Sequence, residues 1–200
     1  MVQAHEEKKD IILEAAKKTF SIYGYKKSSI SDIAQKAHMG KGTIYYYFES
    51  KEDILVETMD REHRIYHQKI INQLKEEKDY REKIKLFIEK PVKMLHDLAP
   101  ILFKIINDAP NIFLEKIEKF RDEKLSESTK MLSEILEGGI KAGVFRDDLD
   151  VEAVANLIIR RFLLVDENFI INFNKETIEQ VQKDNKLLSK LFLDGVVVRR

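Results

Sequence analysis

Ile30 to Glu49, ISDIAQKAHMGKGTIYYYFE, is the stretch whose reading decides the fold. Ile30, Ile33, Ala34 and Ala37 recur at the i, i+3, i+4, i+7 spacing of one helix face. Ser29 fits the N-cap of that helix, and Asp32 three residues on completes a box-like start. Small Ala34 leaves room for a second helix to cross closely. His38, four positions later, is the turn residue, and histidine is one of the side chains that tolerate positive φ. A second helix is expected after Gly40, opening Lys41-Gly42-Thr43, with Ile44 facing inward and Ala37 and Met39 filling the remaining inner positions. The segment therefore predicts a helix-turn-helix over about 30–49.

Working outward, the apolar residues keep helical spacing and strand signals are scarce. Ile12, Ala16, Phe20 and Tyr23 fall on one face of a first helix, which Gly24 is expected to stop as a left-handed cap. Neither glycine nor proline occurs between Gly42 and Pro91, which permits a long helical run. Asp79 with Glu82 opens another helix, and Pro91, Pro100 and Pro110 break up the next part of the chain. Asn111 to Glu137 reads as one long helix ending at Gly138–Gly139. Asp148 or Asp150 then caps an apolar helix to about Phe173, and Asn174 caps the last one. The expected fold is all-α with about nine helices, divided into residues 1–50 and 51–200.

Composition excludes more than it assigns. The chain has 200 residues, 35 basic against 35 acidic, so an overall basic surface is absent. An apolar content of 44% is too high for a disordered chain. With no cysteine, disulfides, thiolate metal sites and cysteine nucleophiles are excluded. The segment from Val151 to Phe173 is interrupted by Arg160, Arg161, Asp166 and Glu167, which argues against a membrane span. MVQAHEEKKD lacks the apolar core of a signal peptide, so a cytoplasmic protein is expected. No GxSxG elbow is present, and Gly40-Lys-Gly follows no strand, so neither a hydrolase nor a dinucleotide loop is indicated. His63 and His67, at i and i+4 with Asp60 nearby, could hold a metal, but no second acidic-x-x-His pair accompanies them. A metal-dependent helical enzyme is therefore the remote alternative; no catalytic residue, metal or cofactor is expected.

The chemistry of the second helix points to DNA. A helix N-terminus offers free amides and a positive dipole to phosphate, Gly42 keeps the backbone bare, and Lys41 can reach a guanine edge. Of Tyr45, Tyr46 and Tyr47, at least one must be exposed, since only one in three or four helix positions faces a core. Residues 1–50 hold eight lysines, no arginine and six acids, so the bidentate arginine–guanine contact is unavailable there. ILEAAKKTF, then Gly-Tyr, then SSISDIAQKA, then GKGTIYYYFESKEDIL resemble the N-terminal domain of the TetR family of bacterial regulators. That resemblance covers about the first 60 residues and implies a three-helix DNA reader, a linking fourth helix from near Lys51, and a larger helical domain for dimerisation and effector binding. It implies DNA contacts by Ser29, Ser31, Lys41, Gly42, Thr43, Tyr45, Tyr46, Tyr47 and Lys51, with Phe48 in the core.

The remainder reads less sharply. All seven tyrosines lie at or before Tyr80, while nine of eleven phenylalanines lie after it, so the later aromatics suit an apolar core or pocket. Phe103, Phe113 and Phe120 are candidate effector-lining residues, and Arg161 is a candidate anchor for an acidic effector or half of an ion pair. The run from Gly139 to Asp150 also resembles the family's C-terminal domain, implying a homodimer through two helices over about 150–194. Two-fold symmetry would place the readers one DNA turn apart on a near-palindromic operator. The expected function is a ligand-responsive repressor, released by a small apolar or amphipathic effector. The alternative is a helix-turn-helix protein whose second domain binds another protein.

Overall fold

The molecule was analysed as a computed structural model, which describes residues 2–90, 111–163 and 175–198; the side chains of 2–4, 111–118, 120–121, 160–163 and 175–178 lie outside that description. The described residues form eight helices: α1 (Val2–Lys27), α2 (Ile30–Lys36), α3 (Lys41–Tyr47), α4 (Lys51–Glu76), α5 (Tyr80–Glu89), α6 (Asn111–Lys141), α7 (Val151–Leu163) and α8 (Lys175–Val196). The fold is all-α, and one isolated bridge, Phe145 to Val197, is the extended pairing recorded among the described residues. Contacts divide the chain into two units, one of Met1–Ile65 with Ala99–Phe120 and one of Tyr66–Leu98 with Arg121–Arg200.

In the first unit the predicted inward positions assemble one core. Ile12, Ala16, Phe20, Ile33, Ile44, Ile54 and Leu55 are fully buried, with Ala34, Ala37 and Phe48 nearly so. Each large aliphatic side chain so buried contributes about 1.5–3 kcal/mol, and Ile44, with Phe48 just after the helix, anchors short α3 in this core. Gly24 adopts positive φ (78°, ψ 172°), a non-helical conformation that interrupts the helix where the stop was expected; the chain bends there and a further helical turn follows to Lys27. The bend returns Tyr25 to the core, 5.9 Å from the Phe20 ring. Tyr23, expected on the buried face, is therefore displaced by Tyr25 and left 53% exposed.

The second unit has its own core, in which Ile84, Ile88, Leu132, Leu136, Phe145 and Ala155 are buried. Asp79 caps α5 by accepting from the Arg81 amide, and Asp150 accepts from the Ala153 amide at the start of α7, as the sequence predicts. Asn174 lies outside the described residues. The expected end of α6 at Gly138–Gly139 is corrected: the helix passes through both glycines to Lys141. Their missing side chains make room for rings, since a Cβ on Gly138 would lie 2.7 Å from Tyr80 and one on Gly139 2.2 Å from Phe145. The left-handed stop falls instead at Gly143, φ 68°.

Candidate nucleic-acid interface

The turn between α2 and α3 is built as the sequence demands. Ser29 takes extended backbone angles and its Oγ accepts from the Asp32 amide at 3.2 Å, while the Ser29 amide donates to Asp32 Oδ2 at 2.8 Å. These bonds, led by the one from the Ser29 hydroxyl, hold the Asp32 carboxyl below its usual range. His38 sits at φ 54°, the one positive φ at a non-glycine residue among those described. The Met39 amide donates to the Ala34 carbonyl at 2.9 Å, closing the turn on the small residue that permits the crossing.

α3 starts differently. Its N-cap is Gly40, with no side-chain cap and no acid in the first turn. Lys41 and Gly42 are exposed, Thr43 is half-buried, and Ile44 is sealed inside. Tyr45 is 50% and Tyr46 75% exposed, whereas Tyr47 is half-buried. Lys41 Nζ lies 5.9 Å from the Tyr45 ring centroid, joining a cation and an exposed phenol on one edge of the helix. Ser31 is exposed on α2. The structure thus brings six of the predicted contact residues, Lys41 to Thr43 and Tyr45 to Tyr47, into one seven-residue helix whose outer side carries no acid.

Two of the predicted residues are engaged internally. Ser29 is exposed, but its hydroxyl also donates to Asp32 Oδ2 at 2.7 Å. Lys51 turns inward: its ammonium donates to the carbonyls of Tyr25 and Ser28, both at 2.9 Å, and lies 4.1 Å from the Tyr25 ring centroid. It closes the C-terminal carbonyls of α1. Tyr25, which the motif analysis had not assigned a role, completes this node by donating its hydroxyl to Glu52. Burial first, then the Glu52 carboxylate, pushes the Tyr25 phenol well above its ordinary range, and the same bond draws Glu52 down. A tyrosine directly after a glycine near a helix end, with Lys-Glu at the start of a later helix, was the available signal.

The effector candidates lie beyond reach: Phe103 and the side chains of Phe113, Phe120 and Arg161 are outside the described residues. In the second unit an open cleft of about 420 Å³ lies between α4, α5 and α6. Ile71, Leu74, Met131 and Ile135 line it together with Tyr80, three lysines (Lys75, Lys83, Lys130) and two acids (Glu127, Glu134). Among the described residues no three His, Cys, Asp or Glu side chains cluster to hold a metal, and no helix is long and apolar enough to cross a membrane.

Residues 12–58, which span α1 to the first turns of α4, match the family model of bacterial regulatory proteins of the tetR family. Over that segment the chain is similar to the TetR family. It is 29% identical over 189 residues to the fatty acid metabolism regulator protein of Bacillus subtilis, covering 92% of this chain and 93% of that one. The crystal structure of the transcriptional regulator FadR from Bacillus subtilis, in complex with stearoyl-CoA, superposes with a TM-score of 0.59 at 27% identity, over 92% of this chain and 95% of that one. A transcriptional regulator from Cytophaga hutchinsonii gives a TM-score of 0.80 at 21% identity over 94% and 98% of the two chains, a likeness of fold. The chain is a DNA-binding transcriptional regulator, and the relatives it resembles are transcriptional regulators.

Proposed function

We propose that α3 reads an operator through Lys41, Gly42, Thr43, Tyr45, Tyr46 and Tyr47, with Ser31 of α2 alongside, and that the effector is a long-chain acyl-coenzyme A. Residues 1–50 carry the reader and 51–200 the effector and dimer functions. Ser29 and Lys51 belong to the site as supports, one fixing the start of α2 and the other the end of α1, because their polar atoms are already engaged. Base selection rests on Lys41, Tyr45 and Ser31 together with DNA shape, since no arginine is available in this segment.

The observation that carries the effector assignment is the similarity to the Bacillus subtilis fatty acid regulator along 92% of this chain, far beyond the reader. The apolar residues of the second unit's cleft suit the hydrocarbon part of an amphipathic effector, as does the tyrosine-free aromatic content after Tyr80, and its three lysines outnumber its two acids, Glu127 and Glu134, by one. Phe103, Phe113 and Phe120 are the proposed lining residues and Arg161 the proposed anchor. A homodimer through 150–194 is supported by Leu157 of α7 and by Leu187 and Leu191 of α8, which stand 68%, 59% and 58% exposed. The effector must favour the conformation that does not bind DNA, or it shifts nothing.

The test is release of the purified protein from the duplex it selects out of randomised DNA. Stearoyl-coenzyme A at saturation should weaken binding by roughly 5- to 150-fold, the usual span of allosteric coupling, and coenzyme A alone should not. Indifference to acyl-coenzyme A of every chain length removes the effector assignment and leaves the reader intact. Lys41→Ala binding the same duplex as tightly and selectively as wild type removes the base-reading assignment.

A further inference from the structure

The first turns of α1 carry a residue without a role in any of the foregoing onto the reader helix. His5 places its ring 4.6 Å from that of Tyr47, tilted by 44°, and 6.0 Å from that of Tyr46, near edge-on at 66°. The two tyrosine rings themselves meet edge to face at 5.2 Å and 82°. Three rings from two helices therefore form one cluster at the C-terminal end of α3. Offset and edge-to-face arrangements at these separations are the favourable ones for aromatic pairs. The cluster does not hang on a loose end. Lys9, one turn further along α1, pairs with Glu57 of α4 at 2.5 Å and lies 5.6 Å from the ring centroid of Phe48, the buried residue that follows Tyr47.

This arrangement answers a difficulty that the exposure of α3 creates. Tyr46 is 75% exposed, and within α3 its ring meets only that of Tyr47, which leaves most of its surface free to reorient. A contact residue that must be ordered at the moment of binding loses affinity to that ordering, and one held beforehand does not. We infer that His5 is a positioning residue of the DNA reader, whose ring holds Tyr46 and Tyr47 in the conformation they present to the operator. The inference rests on the reading of both tyrosines as operator contacts. His5 acts through those two rings and carries no DNA contact of its own. The aromatic face of its side chain, not its charge, is what the site uses.

The experiment compares wild type, His5→Ala, His5→Phe, Tyr46→Ala and Tyr47→Ala on two duplexes over a range of salt. One duplex is that selected by the wild-type protein from randomised DNA, and the other is its scrambled counterpart. His5→Ala should weaken the selected duplex about 3- to 10-fold, as expected for one or two side chains left to be ordered on binding. Affinity for the scrambled duplex, the salt slope and the thermal midpoint should not change. His5→Phe should recover affinity to within about twofold, because its ring keeps the packing. Unchanged operator affinity in His5→Ala overturns the inference. So does a phenylalanine variant as weak as alanine, and a salt slope shallower by about one in both would then identify a direct imidazole–phosphate contact. Full affinity in both tyrosine variants would instead sink the reading of α3 itself, whereas weak tyrosine variants beside an unaffected His5→Ala sink only the role given to His5.

Discussion

Gly42 in α3 and Gly139 in α6 are both glycines inside helices, and the molecule treats them in opposite ways. A Cβ on Gly139 would sit 2.2 Å from the Phe145 ring, and one on Gly42 would meet nothing within 4 Å. A glycine within a helix costs about 1 kcal/mol against alanine, so each needs a reason. For Gly139 the reason is inside the protein: a ring of the second unit's core occupies the space. For Gly42 no described neighbour fills the space, and on the proposed reading the bare backbone serves the approach of the operator. The same contrast runs through the helix starts. α2 closes its first amides with Ser29 and Asp32, whereas α3 begins at Gly40 with no side chain to close them. On the proposed reading, the uncapped start of α3 is where the operator's backbone approaches.

The contrast can be broken at either glycine. Gly139→Ala carries the largest expected effect, a loss of about 3 kcal/mol of stability, because the Phe145 ring would have to leave a buried position. Denaturant unfolding reads it, and a variant as stable as wild type would show that the ring can swing aside at no cost. Gly42→Ala should do the reverse. With open space around the new methyl group, stability should rise by about 0.5–1 kcal/mol through helix propensity, while operator affinity falls on the order of tenfold, equivalent to about 1.4 kcal/mol. Stability and affinity rising together would mean that no DNA backbone comes close to Gly42.

The two glycines also mark what a sequence can and cannot disclose. The helix-turn-helix was legible because its determinants are local. Ser29 and Asp32 are three residues apart, Ala34 and His38 four, and each demand is met in the structure by a cap or a φ of 54°. Gly138 and Gly139 misled because a glycine pair signals a helix stop and a close approach alike, and the approaching rings, Tyr80 and Phe145, come from outside the helix. Tyr23 misled because helical periodicity does not anticipate the bend at Gly24. Lys51 matched a DNA-contact position by resemblance, yet its carbonyl partners sit at least 23 positions earlier, at Tyr25 and Ser28. His5 carried no signal at all, since only folding brings it to Tyr46 and Tyr47. The effector site was legible only as a composition, phenylalanine without tyrosine, which core and pocket share.

The smallest expected effect tests whether the cap of α2 stands apart from the contact set. Ser29→Ala should cost about 1 kcal/mol of stability, the usual loss for a serine N-cap, since it removes the oxygen that accepts from the Asp32 amide. Its effect should depend on pH in a defined direction. The Ser29 hydroxyl and amide both donate to the Asp32 carboxylate and lower its pKa in the folded chain. A depressed folded value contributes stability that is present above the unfolded carboxylate value and is lost as pH falls through the folded one. The gap between wild type and Ser29→Ala should therefore be widest near neutrality and narrow in acid. It should not close completely, because the hydroxyl can still accept from the Asp32 amide when the carboxyl is protonated. Unfolding curves at neutral and acidic pH measure the gap, and one that widens in acid would contradict the capping geometry. If Ser29 acts only as a support, operator affinity per folded molecule should be nearly unchanged in the same variant. A tenfold loss of that affinity would return Ser29 to the contact residues beside Ser31 and Lys41.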